Sequence, residues 1–202
     1  MTDPAGITMA ERKRRLVAGE LTESALQLLV SKGFEAVTVD EITTAAGVSK
    51  RTFFRYFESK EDVVVQFLAE MGTRIHAELA ARPIAEPPSV AWRHAVWVPI
   101  AACGDHADRA LRVVQLILRT PALRSRFLER QVQWHRDLTA QVARRHDLDP
   151  DRDLYPRMAA GMALTAFNTV LQCWSDSDGA ADPADLTDRA FAVIIPGLDS
   201  RT

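Results

Sequence analysis

The chain has 202 residues, of which 47% are hydrophobic and 26% are charged, and its formal net charge is -2 at pH 7. This composition excludes a disordered polar chain and predicts one large folded domain or two modest ones. The charge excludes a protein that coats nucleic acid through its total charge, although a basic face on an acidic molecule still binds a duplex. Cys103 and Cys173 form neither a disulfide framework nor a zinc-type pair, which fits a reducing cytoplasm.

Two apolar segments of the chain are candidates for a secretion signal or a membrane span, and neither fits. The basic run 12–15 is followed by a short apolar stretch that ends at Gly19, whereas a secretion signal needs a longer one. The apolar stretch after Met158 is rich in alanine, glycine and threonine, and is interpreted as buried core rather than a membrane span. We therefore expect a cytoplasmic protein.

Helix-start signals recur along the chain, and no strand pattern competes with them. Thr38 with Glu41 and Ser59 with Asp62 each place a capping hydroxyl three residues before a carboxylate. Apolar periodicity predicts helices at about 9–32, 39–46, from Ser49 onward, 59–82, 89–103, 106–119, 121–146, 151–175 and 183–195. The predicted fold is all-α, with a three-helix helix-turn-helix DNA-binding domain at 1–58 and a larger helical ligand-binding and dimerisation domain at 59–202.

The segment 39–57 predicts a short helix, a tight turn at Gly47 and a second short helix capped by Ser49. Phe53 and Phe57 are four residues apart, so we expect both rings to point inward. The other faces then carry three cations and one aromatic ring: Lys50, Arg51, Phe54 and Arg55. An outward aromatic side chain among cations favours a binding surface over plain solvated surface.

Three ordered motifs follow one another here: Gly47-Val48-Ser49-Lys50, then Thr-Phe-Phe-Arg-Tyr-Phe at 52–57, then Ser59-Lys60-Glu61. With their spacing and flanking helices, they resemble the DNA-binding half of the TetR family of bacterial regulators. The resemblance covers about residues 12 to 68. It implies a homodimer that binds double-stranded DNA through the helix after Ser49, which enters the major groove.

The resemblance assigns roles to individual side chains of this segment. Lys50 and Arg51 are expected at base edges, whereas Thr52, Tyr56 and Lys60 are expected at phosphates. The family usually has tyrosine at the position of Phe54, so one hydroxyl contact is missing and its role is open. The complete set of candidate DNA contacts is Thr38, Ser49, Lys50, Arg51, Thr52, Phe54, Arg55, Tyr56 and Lys60. The run 12–15 either contacts phosphates and the adjacent minor groove or is a solvated charge run.

By the same resemblance, the second domain is expected to hold a ligand cavity. The helix from Ser89 is apolar around its circumference, so we expect it to be central and surrounded. The candidate pocket residues are Trp92, His94, Val96, Trp97, Ile100, Trp134, Met158, Met162, Thr165 and Phe167. Plain core packing is the alternative for each of them. A mostly apolar effector is expected, oriented by a polar group from His94, Thr165, Asn168, His135 or Arg93.

The last two long helices are expected to pair across a two-fold axis, as the resemblance implies. Two apolar stripes agree with this expectation. One is Ala160, Leu164, Phe167 and Leu171, and the other is Leu186, Ala190, Phe191, Val193 and Ile194. A monomer would expose part of this apolar surface, which favours dimerisation.

Reactive side chains are densest at Cys103, Asp105, His106 and Asp108. A Cys-His nucleophile or a metal site is one interpretation, but an expected helix end and helix start already explain these residues. No phosphate-binding glycine loop or nucleophile elbow occurs, so no catalytic residue, metal or cofactor is predicted.

Three functions stay open at this point. The predicted one is a ligand-responsive repressor that binds an inverted-repeat operator. The alternatives are a DNA-binding regulator whose second domain only dimerises or docks a protein, and an enzyme with an accessory helix-turn-helix.

Overall fold

The computed structural model describes residues 8–101 and 107–200, and within these ranges every regular element is a helix. The helices are α1 (Met9–Lys32), α2 (Val39–Ala45), α3 (Lys50–Phe54), α4 (Lys60–Ala81), α5 (Pro88–Ala101), α6 (Ala107–Arg119), α7 (Pro121–His146), α8 (Leu154–Asp176) and α9 (Pro183–Asp199). The predicted all-α class is confirmed. None of the described helices is long and apolar enough to cross a membrane.

The chain forms two compact units, Met1–Phe67 and Leu68–Thr202, and the division falls within α4. The first unit has a core to which several helices contribute fully buried apolar side chains. These side chains include Leu21, Ala25, Leu29, Ile42, Phe53, Val63 and Val64. Burial at this level lets a unit with short helices hold together, because α2 and α3 are too short to be stable in isolation.

The start of α2 is fixed by a capping box that the sequence predicted. The Thr38 hydroxyl accepts a hydrogen bond from Glu41 N at 3.3 Å, and the Glu41 carboxylate accepts one from Thr38 N at 2.9 Å. Lys32, the Thr38 N–H and the Thr38 hydroxyl all donate to this carboxylate and lower the pKa of Glu41 to about 2. Glu41 therefore stays ionised, and this cap persists, at every pH well above that value.

In the second unit the central helix is α8, which packs against α5, α6, α7 and α9. Its small buried residues, Ala159, Ala160 and Ala163, let neighbouring helices approach closely. The expectation that α5 is central and surrounded is wrong. The buried residues of α5 form one stripe, Val90 is 38% exposed, and the helix packs mainly against α8 and α9.

Two helix boundaries, the start of α8 and the end of α9, differ from the sequence prediction by three and four residues, and side chains explain both. The predicted start of α8 at 151 is wrong because Asp149 N donates to the Asp153 carboxylate and closes a turn before the helix. The predicted end of α9 at 195 is also wrong, since the helix continues past Pro196. Its last turn is held by buried Leu198 and by Asp199, which accepts from the backbone N–H and the hydroxyl of Ser89.

An aromatic cluster joins α7 and α8, and it lies against α4 at Gly72. The Trp134 ring centroid is 6.2 Å from that of Phe127 and 6.4 Å from that of Phe167. A Cβ atom added at Gly72 would lie 2.6 Å from Trp134 Cδ1. Trp134 is 3% exposed and confined by its aromatic neighbours, so it cannot move aside cheaply.

We expect Gly72→Ala to lower the free energy of unfolding by about 1–3 kcal/mol, because the added methyl overpacks the core. Gly19→Ala is the matched control, since Gly19 lies in α1 with no atom within 4 Å of the added Cβ. The control should stabilise by about 0.5–1 kcal/mol through helix propensity. Urea unfolding of both variants measures this, and equal stabilisation by the two would contradict the close approach of Trp134.

Candidate functional site

The turn between α2 and α3 is built from local backbone and hydroxyl contacts. Gly47 has φ +64°, a conformation that glycine adopts without strain, and Val48 N donates to Thr43 O at 3.0 Å. Ser49 is the N-cap of α3, and its hydroxyl accepts from Thr52 N at 3.1 Å. These contacts fix where α3 begins, and they give Ser49 and Thr52 structural roles beside any contact with DNA.

Burial sets the rotation of α3 about its axis. Phe53 is fully buried and Phe57 is 4% exposed, whereas Phe54 is 55% exposed, so the predicted orientation of the three rings is confirmed. The Phe53 and Phe57 centroids are 5.4 Å apart. The face opposite this pair is exposed and carries Lys50, Arg51, Phe54 and Arg55.

The two candidate base-contact residues differ in their surroundings. Lys50 Nζ lies 2.6 Å from Asp40 Oδ1 of α2. Arg51 is exposed and makes no hydrogen bond or ion pair with any other described residue. The guanidinium of Arg51 is therefore available to a ligand without breaking a contact to another described residue.

Tyr56 is surrounded by cationic side chains. Arg55 Nη2 donates to the Tyr56 hydroxyl at 3.3 Å, and Arg55 Cζ lies 5.0 Å from the ring centroid. Arg14 of α1 approaches the same ring, with Cζ 6.0 Å from its centroid. The geometry places at least one cation of the run 12–15 beside the candidate phosphate-contact residue Tyr56.

The side chain of Lys60, at the start of α4, makes hydrogen bonds within the first unit. Its ammonium group donates to Phe34 O at 2.7 Å and to Val37 O at 3.0 Å, and it lies 4.3 Å from the Phe34 ring centroid. These contacts tie α4 to the turn that joins α1 and α2. An ammonium group has three N–H donors, so one remains for an external acceptor.

The candidate pocket residues of the second unit fall into three groups by burial. Trp92, Val96, Ile100, Trp134 and Phe167 are buried, and His94, Trp97 and Met162 are half-buried. Met158 and Thr165 are exposed on the outer face of α8, so the expectation that they line an interior site is wrong for the single chain. Within this set, the rings of Trp134 and Phe167 contact each other edge to face.

Two of the expected polar groups of the pocket already have partners, because His135 Nε2 lies 3.0 Å from Arg157 O and Arg93 pairs with Asp188. A half-buried histidine that the sequence analysis missed, His76, lies on α4. His76 Nδ1 contacts Gln141 Oε1, while its Nε2 is buried without a partner in the described chain. The buried Thr139 hydroxyl is also without a partner there. The spacing of four residues between Gly72 and His76 was the available signal, because it places both on one face of α4.

The expected dimer stripe on α8 is wrong. Ala160, Leu164, Phe167 and Leu171 are buried within the single chain, where they form part of its core. Apart from Arg157 and Asp176, the exposed residues of α8 are uncharged: Leu154, Met158, Thr165, Thr169 and Cys173. On α9, Val193 is 79% exposed, Ile194 is half-buried and Phe191 is buried. The two helices approach closely, because a Cβ at Gly197 would lie 2.8 Å from Met162 Sδ.

The cluster considered for nucleophilic or metal chemistry is described only in part. Cys103, Asp105 and His106 lie outside the described residues, and Asp108 is exposed in the first turn of α6. Among residues 8–101 and 107–200, no group of histidine, cysteine, aspartate and glutamate side chains has the geometry to hold a metal ion.

Comparison with known proteins matches both units. Residues 21–67 match the model of the bacterial regulatory proteins, tetR family, and residues 86–199 match the model of the MftR C-terminal domain. TcmR, an HTH-type transcriptional regulator of Streptomyces glaucescens, is 31% identical over 177 residues, which cover 85% of this chain and 78% of TcmR. The putative mycofactocin biosynthesis transcriptional regulator MftR of Mycobacterium tuberculosis is 27% identical over 93% of this chain and 94% of MftR.

Solved structures show the same fold. FadR of Bacillus subtilis, crystallised with stearoyl-CoA, superposes with a TM-score of 0.63 at 20% identity, covering 89% of this chain and 98% of FadR. FadR of Thermus thermophilus, crystallised with lauroyl-CoA, gives a TM-score of 0.54 at 24% identity, covering 92% of this chain and 96% of that FadR. The helix-turn-helix geometry, the two family models and the relatives agree, and the chain belongs to the TetR family of DNA-binding transcription regulators.

Proposed function

We propose that this regulator is a repressor that binds an inverted-repeat operator as a homodimer and leaves it when a mostly apolar small molecule binds the second unit. The observation that carries the proposal is the exposed face of α3, on the side of the helix away from the buried Phe53. This face carries two further cations, an aromatic ring and Arg51, which has no partner among the described residues. A bacterial chromosome lies in the cytoplasm, so we place the protein there. Its relatives are named as regulators, and we assign it no enzymatic activity.

Sequence-specific binding requires side chains that reach base edges without losing contacts in the protein. Arg51 meets this requirement, because it is exposed and unpaired within the described residues. Arginine donates two parallel hydrogen bonds to guanine O6 and N7 in the major groove. Phe54 adds an exposed apolar ring that fits a sugar or a thymine methyl group.

Footprinting on the DNA upstream of its own gene should show an inverted repeat with half-site centres about 10 bp, or a multiple of 10 bp, apart. Arg51→Ala should cost about 1–3 kcal/mol of binding free energy on this site and relax base choice at one position. Arg124→Ala removes the same charge from an exposed position of α7 and is the control. A single asymmetric half-site, or equal losses for the two variants, would reject the assignment.

Two N–H groups of the Lys60 ammonium donate to backbone carbonyl oxygens, and the third is proposed to contact a phosphate. Such a contact carries no base information, and it depends on salt through counterion release. The same side chain fixes the turn between α1 and α2, so its loss should affect folding as well as binding.

Lys60→Met should weaken binding to operator and random DNA by the same factor and lower the free energy of unfolding by about 1–3 kcal/mol, the cost of losing hydrogen bonds to a charged group. Lys32→Met is the control, because Lys32 forms an exposed ion pair with Glu41, and exposed ion pairs contribute little to stability. Thermal unfolding and DNA titration measure the two effects. Unchanged stability in Lys60→Met would contradict the structural role.

Dimerisation is proposed to use the exposed face of α8, on which most residues are uncharged, together with α9. This face runs from Leu154 to Cys173, and on α9 it is continued by Val193 and Ile195. Large apolar side chains at 75% and 79% exposure, as at Leu154 and Val193, are expensive to leave in water. A second copy of the same chain covers both helices at once and supplies the two-fold symmetry that an inverted repeat requires.

Val193→Asp should convert the dimer to a monomer, because a carboxylate buried without a partner at the interface is strongly unfavourable. The control is Ile84→Asp, which introduces the same charge at an exposed apolar residue between α4 and α5. Analytical ultracentrifugation reports the mass, and gel shift reports binding to the inverted repeat. A Val193→Asp protein that stays dimeric would place the interface elsewhere.

The effector site is proposed in the core of the second unit, near the aromatic cluster and His76. Gln141 Nε2 donates to the carbonyl oxygen of His76 at 3.0 Å, which leaves Gln141 Oε1 facing His76 Nδ1. This amide oxygen only accepts, so Nδ1 carries a hydrogen, and the tautomer with that single ring hydrogen leaves the buried Nε2 as an acceptor without a donor among the described residues. An apolar molecule with one hydroxyl group supplies that donor, and Trp134 and Phe167 supply apolar contacts.

The proposed effector chemistry predicts a ranking of ligands in a titration of the protein–operator complex. Release should strengthen along an aliphatic series by at most about 0.8 kcal/mol per methylene, and an alcohol should act about 2- to 10-fold more strongly than its methyl ether. The difference between alcohol and ether should vanish in His76→Leu. Long-chain acyl-CoA belongs in the panel, since two structural neighbours were crystallised with such ligands. Release by sugars or phosphates alone would contradict an apolar effector.

A further inference from the structure

Asp40 of α2 is the one acidic residue that the structure pairs with the exposed face of α3, among the described residues. Its Oδ1 lies 2.6 Å from Lys50 Nζ, and the side chains are 61% and 59% exposed. The neighbouring carboxylate, Glu41, is bound by Lys32 and Thr38, and no hydrogen bond or ion pair joins it to α3 among the described residues. Asp40 is therefore positioned to act on DNA recognition, whereas Glu41 stabilises the cap.

We infer that Asp40 is a specificity-determining residue, because it holds Lys50 for base contact and withholds its charge from random DNA. This inference rests on the proposed role of Lys50 at a base edge. An ammonium group bound to Asp40 keeps two N–H donors, which suffice for guanine O6 and N7. Lys50 therefore reaches the correct base while it remains paired.

Binding to random DNA depends on a different quantity, the number of phosphates that lysine and arginine neutralise. A lysine paired with a carboxylate contributes little to that number. If Lys50 leaves Asp40 for a phosphate, the carboxylate is left without its partner beside a negatively charged backbone. Asp40 thus lowers the affinity for random DNA more than the affinity for the operator, and it raises the ratio of the two.

The ion pair between Asp40 and Lys50 contributes little to folding. A change in DNA binding after substitution of Asp40 is therefore not a consequence of unfolding. Exposed ion pairs contribute little to stability, and the backbone contact of this residue, from the Thr43 hydroxyl to Asp40 O, does not involve its side chain. Asparagine is nearly the same size and lacks the charge. Asp40→Asn should therefore unfold close to the wild-type temperature, and Asp40→Ser provides a second uncharged variant in case one of them is unstable.

The experiment compares Asp40→Asn with Glu35→Gln, which removes one negative charge from an exposed residue in the turn before α2. Affinity for the operator and for random DNA is measured from 50 to 200 mM salt, roughly the range over which counterion release is resolved. Asp40→Asn should reduce the ratio of the two affinities by about 3- to 10-fold and steepen the salt dependence on random DNA by about one phosphate contact. Glu35→Gln should leave the ratio unchanged.

A second background shows whether Asp40 acts through Lys50. In Lys50→Gln, the further change Asp40→Asn should leave the affinity ratio unchanged, and in the wild-type background Asp40→Glu should retain most of it. A ratio that falls equally in both backgrounds, or that Glu35→Gln lowers as much as Asp40→Asn does, overturns the inference. A wild-type protein that binds no inverted repeat would instead overturn the proposed function, so the two failures are distinguishable.

Discussion

The burial of Phe53 determines which side chains of α3 are exposed. This residue lies near the middle of α3, a helix of five residues that has too few hydrogen bonds to be stable alone. Its ring is fixed in the core with that of Phe57, and the Ser49 cap fixes the start of the helix. With one face held in this way, Arg51 and Phe54 have no other direction than outward. The proposed DNA-binding surface is thus a consequence of core packing.

The number of charges alone does not describe that surface, because its cations have different partners within the protein. Lys60 donates to two backbone carbonyls, Lys50 is paired with Asp40, and Arg55 lies against Tyr56. Arg51 has no such contact within the described residues. For a chain with a formal net charge of -2, the proposed DNA contacts therefore depend on a few cations placed by neighbouring residues, rather than on an excess of positive charge.

Sequence reasoning succeeded for the first unit because its signals are local. A capping hydroxyl, a glycine in the turn and two aromatic rings four residues apart specify α2, the turn and α3 without reference to the rest of the chain. In the second unit, an apolar stripe on a helix has two interpretations that the sequence does not separate. The stripe is buried in the core of the single chain, or it is buried against a second copy. Ala160 is buried and Met158 is 57% exposed, although both lie in the same apolar stretch of α8. The unpaired Nε2 of His76 depends on a contact with Gln141, 65 residues away, which periodicity does not reveal.

The position of α8 gives the proposed ligand response a physical route. One face of this helix contributes Phe167 to the aromatic cluster, and its exposed face carries the proposed dimer contacts. Met162 also meets α9 at Gly197, where little space remains. A ligand that separates Trp134 from Phe167 must displace side chains of α8, the helix proposed to join the two copies, since closely packed interiors transmit such changes. The ligand shifts the dimer toward a second arrangement only by the difference between its affinities for the two. An effector contact that is equal in both states leaves DNA binding unchanged, however tight it is.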